Sequence, residues 1–245
     1  MTELILSEIT QMKWGHCVIG LERVGQGYCS IRPLPRFGNA WPSPFRHERG
    51  DRLQFYLSAL PTERPHVEDR ISSGTISAAG KVSKAELVNC LRQAEVAQEL
   101  RELFGCEVHE RRHRGNVCTK PGQGIRSICG CHFLNIRLQR LSNELRAALT
   151  LPSGEALRDL PVVDRDWNEF IELAVNRIVG ANQLQRLNRF FNFHLRDKLL
   201  NDPDRFARIG LSRPFKERCW LMLDSLFPLP RVAWLENLPW RGSGA

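Results

Sequence analysis

His66, Glu68 and Asp69 are the residues whose types and spacing most resemble working chemistry. An imidazole beside two carboxylates can shuttle protons or hold a hard metal ion. The same three residues in a loop also cap strands or pair with arginine, so a structural role is the competing expectation. Cysteine offers a second possibility. Cys106, Cys118, Cys129 and Cys131, with His109, His113 and His132 among them, crowd one part of the chain. Zinc takes four such ligands, and Cys129 and Cys131 would share one face of a strand. Against this, there is no Cys-x-x-Cys knuckle. The arginines beside His113 also set a positive field against a cation. Two core-facing thiols satisfy the strand equally well. No Gly-x-Ser-x-Gly elbow, P-loop or dinucleotide fingerprint occurs, so no cofactor is expected.

The third possibility is charge. Residues 111 to 146 hold Arg111, Arg112, Arg114, Lys120, Arg126, Arg137, Arg140 and Arg146 against Glu144 alone. That is eight positive minus one negative, or +7 of a formal net +8. Positive charge focused in one stretch suits a polyanion, because basic side chains displace the counterions of a phosphate backbone. A solvated basic edge strand that deters aggregation would look similar. Arg32 and Arg36 add to this set from the N-terminal part. Arg186, Arg189, Phe193 and Arg196 recur at helical spacing, with Leu184, Leu187, Phe191 and Leu195 on the other face. The expected nucleic-acid contacts are Arg126, Arg137 and Arg140, assisted by these others and by Lys120. An aromatic among arginines also offers a base a stacking surface.

The elements that must position these residues are mainly strands. Residues 4–6, 17–21, 28–32 and 51–57 read as short strands separated by Gly- and Pro-rich turns. A Pro-Gly-Gln-Gly turn precedes residues 125–138. Alternation there predicts one strand with Leu134, Ile136 and Leu138 inward and Asn135, Arg137 and Gln139 outward. Arg126 and Arg137 have opposite parity, so Arg126 must belong to the turn if both bind phosphate. Residues 206–211 and 219–223 return to strand. Ser83-Lys84-Ala85-Glu86 is a capping box opening a helix over 83–104. A helical insert is expected over 166–200. The result is a mainly β, α+β protein with short strands at the spacing of small barrels.

No run of 18 apolar residues occurs and the N-terminus lacks the basic region of a signal peptide, so a cytoplasmic location without membrane contact is expected. The eight cysteines are irregularly spaced and read as free thiols. Two segments, 33–37 and 228–232, both run Pro-Leu-Pro-Arg followed by an apolar residue. The echo suggests two related units, or chance.

Several segments together resemble the bacterial dual-OB-containing domain proteins. They are Trp14-Gly15-His16-Cys17-Val18-Ile19-Gly20, Ile31-Arg32-Pro33, Gly50-Asp51, Pro65-His66-Val67-Glu68-Asp69, Arg126-Ser127-Ile128, Val163-Asp164 with Trp167, and Gly210-Leu211-Ser212-Arg213-Pro214-Phe215. Trp14 and His16 depart from the family's glycine-led strand. The resemblance keeps its order from residue 14 to about 227. It implies two OB-like barrels, residues 1–105 and 106–232, followed by a tail over 233–245. It also implies a nucleic-acid role, single-stranded or RNA, as a module of a bacterial nucleoprotein or defence system. It carries over no catalytic residues. Two rival expectations stand beside it. One is a nucleic-acid-modifying or hydrolytic enzyme using His66, Glu68 and Asp69. The other is a structural subunit that binds a protein partner through helices 83–104 and 166–200 and the Trp-bearing tail.

Overall fold

The structure is a computed structural model that describes residues 1–38, 40–59, 64–110, 117–178 and 182–237. It is mainly β, with a smaller helical part. The N-terminal strands are β1 (Thr2–Met12), β2 (Gly15–Val24), β3 (Gly27–Pro35), β4 (Asp51–Phe55), β5 (Leu57–Ala59), β6 (Asp69–Ser72) and β7 (Ser77–Lys81). β1, β2 and β3 form an antiparallel meander, and β3 pairs in parallel with β6. Only Tyr56 separates β4 from β5. β4 pairs with β1 while β5 pairs with β6, so this bent strand joins the two ends and closes a ring.

A bulge at Ser7 explains why β1 is buried on both faces. The register steps from Leu6 opposite Gly20 to Glu8 opposite Ile19. Parity therefore flips, and Leu4, Leu6 and Ile9 all fill the first ring with Val18, Ile31, Leu53 and Phe55. Ile5 and Glu8 are turned the other way, into the seam with the second half of the molecule, where Ile5 packs with Leu87, Leu91, Phe206 and Phe227.

The helix expected over 83–104 is two helices, α1 (Lys84–Arg92) and α2 (Leu100–Phe104). Ser83 caps α1 as the capping box requires, its hydroxyl accepting from the Glu86 amide at 3.1 Å. Between the helices, β8 (Val96–Ala97) pairs in parallel with residues 130–131, and the Gly130 amide donates to the Glu95 carbonyl at 2.8 Å. A Cβ on Gly130 would meet the Phe206 ring at 2.3 Å and the Glu95 carbonyl at 3.2 Å. This close backbone approach overrides the helical spacing of Ala94 and Ala97.

After β9 (His109–Glu110) and β10 (Val117–Thr119), the strand expected over 125–138 is also two. These are β11 (Ile128–Cys131), buried on both faces, and β12 (Asn135–Leu141), wet on one face. They are the two arms of a second bent strand. β12 continues into a meander with β13 (Glu144–Thr150) and β14 (Ala156–Pro161). Helices α3 (Arg165–Arg177), α4 (Gln183–Phe190) and α5 (Arg196–Leu200) follow, a π-helical turn (Phe191–Leu195) joining the last two. The chain ends in β15 (Phe206–Leu211), β16 (Cys219–Phe227) and a 3-10 turn (Val232–Asn237). β15 pairs with both β11 and β16, and Val162 bridges Leu223 in parallel. The curled sheets β12–β13–β14 and β11–β15–β16, joined by that one bridge, thus run in the strand order of the first ring and enclose a second core. The helical insert joins the third and fourth strands of the second ring, where residues 36–50 serve in the first. The helices complete the second ring's core, burying Trp167, Phe170, Leu187, Phe191 and Leu195.

The echo at 33–37 and 228–232 does not mark equivalent places. The first forms the paired end of β3, whereas the second lies beyond the end of β16. The tail is partly docked, since Trp234 packs at 6.3 Å from the rings of both Trp167 and Phe170. Among the described residues, no helix is long and apolar enough to cross a membrane.

Candidate functional site: a basic cleft between the rings

Three buried polar nodes fasten one ring to the other. In the first, β3 and β6 place Arg32 opposite Asp69, and the two pair at 3.1 Å. Arg32 Nη1 also reaches His66 Nδ1 at 3.1 Å, and Nη2 donates to Ser127 Oγ at 3.0 Å. Glu68 accepts from the Ser127 amide at 2.7 Å and its hydroxyl at 2.8 Å, and Arg213 pairs with Asp69. In the second, Arg208 donates to Glu8 at 2.7 Å and to Ser30 at 2.5 Å, and Ser30 in turn donates to Glu95 at 2.9 Å. In the third, Arg49 holds Asp164 at 2.5 Å and Ser225 at 2.6 Å. Asp164 is also the N-cap of α3 and accepts from the Trp167 amide.

His66, Glu68 and Asp69 therefore belong to the seam. Each is at most 5 % exposed and committed to arginine or Ser127. Burial first, then the neighbouring Arg32 and Arg213, push the His66 pKa down to about 3, so the imidazole is neutral. With Nδ1 accepting from Arg32, the ring proton sits on Nε2. A histidine held below its ordinary value supports the fold above about pH 6.5, and that support is lost as the pH falls toward 3. Arg32, expected at phosphate, is 6 % exposed and spends both terminal nitrogens on the seam.

Among the described residues, those of the basic stretch are spread over several elements. Arg126 lies half-buried in the loop before β11, while Arg137 is exposed on β12 in the other arm of the bent strand. Arg140 shares the inward parity of Ile136 and Leu138. It is 9 % exposed and pairs with Glu172 of α3 at 2.9 Å, so it is not presented with Arg137. Leu134, expected inward, is 55 % exposed because the strand breaks there. Lys120 is exposed beside β10, and Arg36 is exposed with its guanidinium 5.4 Å from the Phe37 ring. Arg111, Arg112 and Arg114 lie outside the described residues. On the helical insert, Arg189 and Phe193 are exposed, Arg186 is half-buried, and Arg196 donates to Asn135 at 3.1 Å. Phe190, Phe191 and Leu195 face the core.

Cys106, Cys118 and Cys219 are neighbours, apart from Cys129 and Cys131 in β11. Cys106 contacts Thr119 at 3.1 Å, and Cys118 and Cys219 lie on the paired strands β10 and β16. Cys129 and Cys131 are sealed in β11, where burial pushes the Cys129 thiol up to about 11 and raises that of Cys131 further. Among the described residues, no group of three His, Cys, Asp or Glu is placed to hold a metal.

A cleft of about 580 Å³ opens between the rings. β1, β2 and β3 line one side with Thr10, Cys17, Arg32 and Leu34, and β15, β16 and their connection line the other. Leu34, Leu211, Trp220 and Met222 make the walls apolar, and Asp224 lines the interior. The mouth is basic and aromatic. Lys13 and Arg213 are exposed lining residues, and Phe215 between β15 and β16 is 61 % exposed. Lys13 Nζ stands 4.7 Å from the ring of Trp14, itself 80 % exposed, and Lys216 Nζ 5.4 Å from that of Phe215. The tip that carries Phe215 is a two-residue turn closed by a Phe215–Arg218 bridge, with Lys216 at φ 51° and Glu217 at φ 59°.

Asp224 is the residue at this site that the sequence reading missed. The register runs from Arg208 opposite Ser225 to Ile209 opposite Leu223, so Asp224 is the extra residue of a bulge in β16. Gly210 makes room for it, since a Cβ there would stand 1.9 Å from Asp224 Oδ2. Asp224 is 3 % exposed and its Oδ1 has no hydrogen-bond partner. Burial raises its pKa to about 7, against the opposing pull of Arg32. The available signal was a lone acid inside the apolar run of β16. Lys13-Trp14 and Phe215-Lys216, basic residues beside aromatics at turns, were the signal for the mouth.

A wider groove of about 1010 Å³ between the rings carries Glu144, Glu169 and Glu172, which would repel a polyanion. No protein family, curated protein or solved structure matches this chain.

Proposed function

We propose that this protein binds single-stranded nucleic acid, largely without regard to sequence along the strand, at the mouth of the cleft between two OB-like rings. The observation that carries the reading is the combination of Lys13 and Arg213 with exposed Trp14 and Phe215 around an apolar cleft. Basic residues track a phosphate backbone, and aromatic faces stack on unpaired bases, which a duplex does not offer. The OB-like description is supported by the two rings, each a three-stranded meander closed by two further strands. The resemblance to dual-OB-containing proteins points the same way and adds a place in a bacterial nucleoprotein or defence system. Arg36 with Phe37, and the Arg189–Phe193 face of the insert, extend the surface along which a longer strand would run.

Filter binding of a 20-nucleotide single-stranded RNA or DNA at several salt concentrations tests this. Affinity should fall steeply with salt. Lys13→Glu with Lys216→Glu should weaken binding about tenfold or more at low salt and flatten the salt slope. Absence of binding at 50 mM salt, or equal affinity in the double variant, would overturn the reading.

A further inference from the structure

The mouth of the cleft accounts for a strand; its interior suits a different chemistry. A nucleobase needs partners for its polar edge, and the interior holds none that it could reach. Asp224 Oδ1 and Arg32 Nε have no partner but are closed to solvent, and the terminal nitrogens of Arg32 are engaged by Asp69, His66 and Ser127. The Ser212 hydroxyl is engaged too, accepting from the Trp220 amide at 2.9 Å and donating to the Arg213 carbonyl at 2.9 Å. Cys17, half-buried, adds only a weakly polar thiol.

The lining surface that a ligand can touch is mainly apolar. Val163, Trp220 and Met222 are half-buried, and Met12, Pro214 and Phe215 are exposed. An apolar ligand that displaces water from such walls is stabilised by the area it covers. The volume of about 580 Å³ lies within the roughly 300–1,000 Å³ of small-molecule sites, and a single side chain of a docking peptide would fill little of it. The exposed charges that line the cleft are both positive, Lys13 and Arg213, and Arg213 and Arg32 share the one Asp69 carboxylate. The acid that lines it, Asp224, is buried.

We infer that the cleft binds a small amphiphilic anion, a hydrocarbon chain of medium length lying along the apolar walls with its carboxylate at Lys13 and Arg213. The chain needs no hydrogen bond from the interior. The head group meets its cations at the exposed mouth, where it keeps most of its water, so neither end is left unpaired. The inference does not depend on the nucleic-acid reading. The two ligands use the same cations, so each should displace the other at the mouth.

Calorimetric titration of the full chain with decanoate, decylammonium and butyrate, each below its micellar range, tests this at pH 8. Decanoate supplies both parts, decylammonium reverses the head group, and butyrate shortens the chain. Decanoate should bind more tightly than either by about tenfold or more, and Lys13→Glu should weaken it by about threefold or more. Met222→Trp, which fills the cleft from a half-buried position, should abolish decanoate binding. Should that variant fail to fold, Val163→Trp fills it from another half-buried position and should do the same. Three results overturn the inference and leave the nucleic-acid reading standing: no decanoate binding while the 20-mer binds, decylammonium or butyrate binding as tightly, or decanoate binding unchanged in a folded filled variant. Decanoate binding without 20-mer binding overturns that reading alone.

Discussion

The seam and the cleft hold the buried carboxylates of this protein under opposite conditions. At the seam, Glu8, Glu68, Asp69 and Asp164 each meet an arginine or Ser127 from the opposite ring. In the cleft, Asp224 is equally buried but one oxygen meets nothing. An ion removed from water costs several kcal/mol unless a partner compensates it. The seam acids are thus part of how the rings are held, while Asp224 weakens the fold in its charged form.

Breaking a seam pair should have the largest effect. Arg208→Leu strands Glu8 in the interior and should cost about 3–5 kcal/mol, read as a lower urea midpoint. A loss below about 1 kcal/mol would erase the distinction between the two regions. Asp224→Asn should go the other way and raise stability by about 1–3 kcal/mol at pH 8. The sign follows from a folded pKa near 7, raised above the ordinary 3.8. The protonated acid's advantage is fully present below about pH 4 and lost as the pH rises through 7. The gap between variant and wild type should therefore be widest at pH 8 and close near pH 4; a gap independent of pH would contradict it. Smaller still, Glu217→Gly should add up to about 1 kcal/mol by relieving a left-handed residue at the Phe215 turn. If that turn positions Phe215 for a base, the same change should weaken binding of the 20-mer. The smallest effect is expected at Arg137→Glu, an exposed site on β12, with stability altered by less than about 0.5 kcal/mol.

Much of the strand framework was legible in the chain. The runs at 17–21, 28–32, 206–211 and 219–223 fall in strands, the run at 51–57 is split into two by Tyr56, and alternation correctly placed Ile136, Leu138 and Arg137. Helix capping was legible at Ser83 because it is a local matter. What could not be read is what depends on partners far along the chain. β8 was drawn out of a helical pattern by Gly130, and β11 and β12 were separated by a break that alternation ignores. Among the described residues the basic stretch is dispersed because neighbours in sequence went to different elements, with Arg140 turned inward to Glu172. Arg32 was misassigned because its partners, Asp69 and Ser127, lie 37 and 95 residues away. Asp224 escaped notice because its parity is set by a bulge, which periodicity does not record.

The contact between α4 and β12 bears on self-association. Along the unpaired side of β12, Asn188 offers its carboxamide to the backbone of Arg140, accepting from the amide at 2.9 Å and donating to the carbonyl at 3.5 Å. A side chain thereby imitates a neighbouring strand for one residue, and the helix blocks access to the rest. A shortened protein lacking residues 183–200 would carry an open template at that margin, ready to be extended by the same margin of another copy. The insert thus covers that margin as well as filling the core beneath it, so its loss would expose a strand edge and apolar surface together.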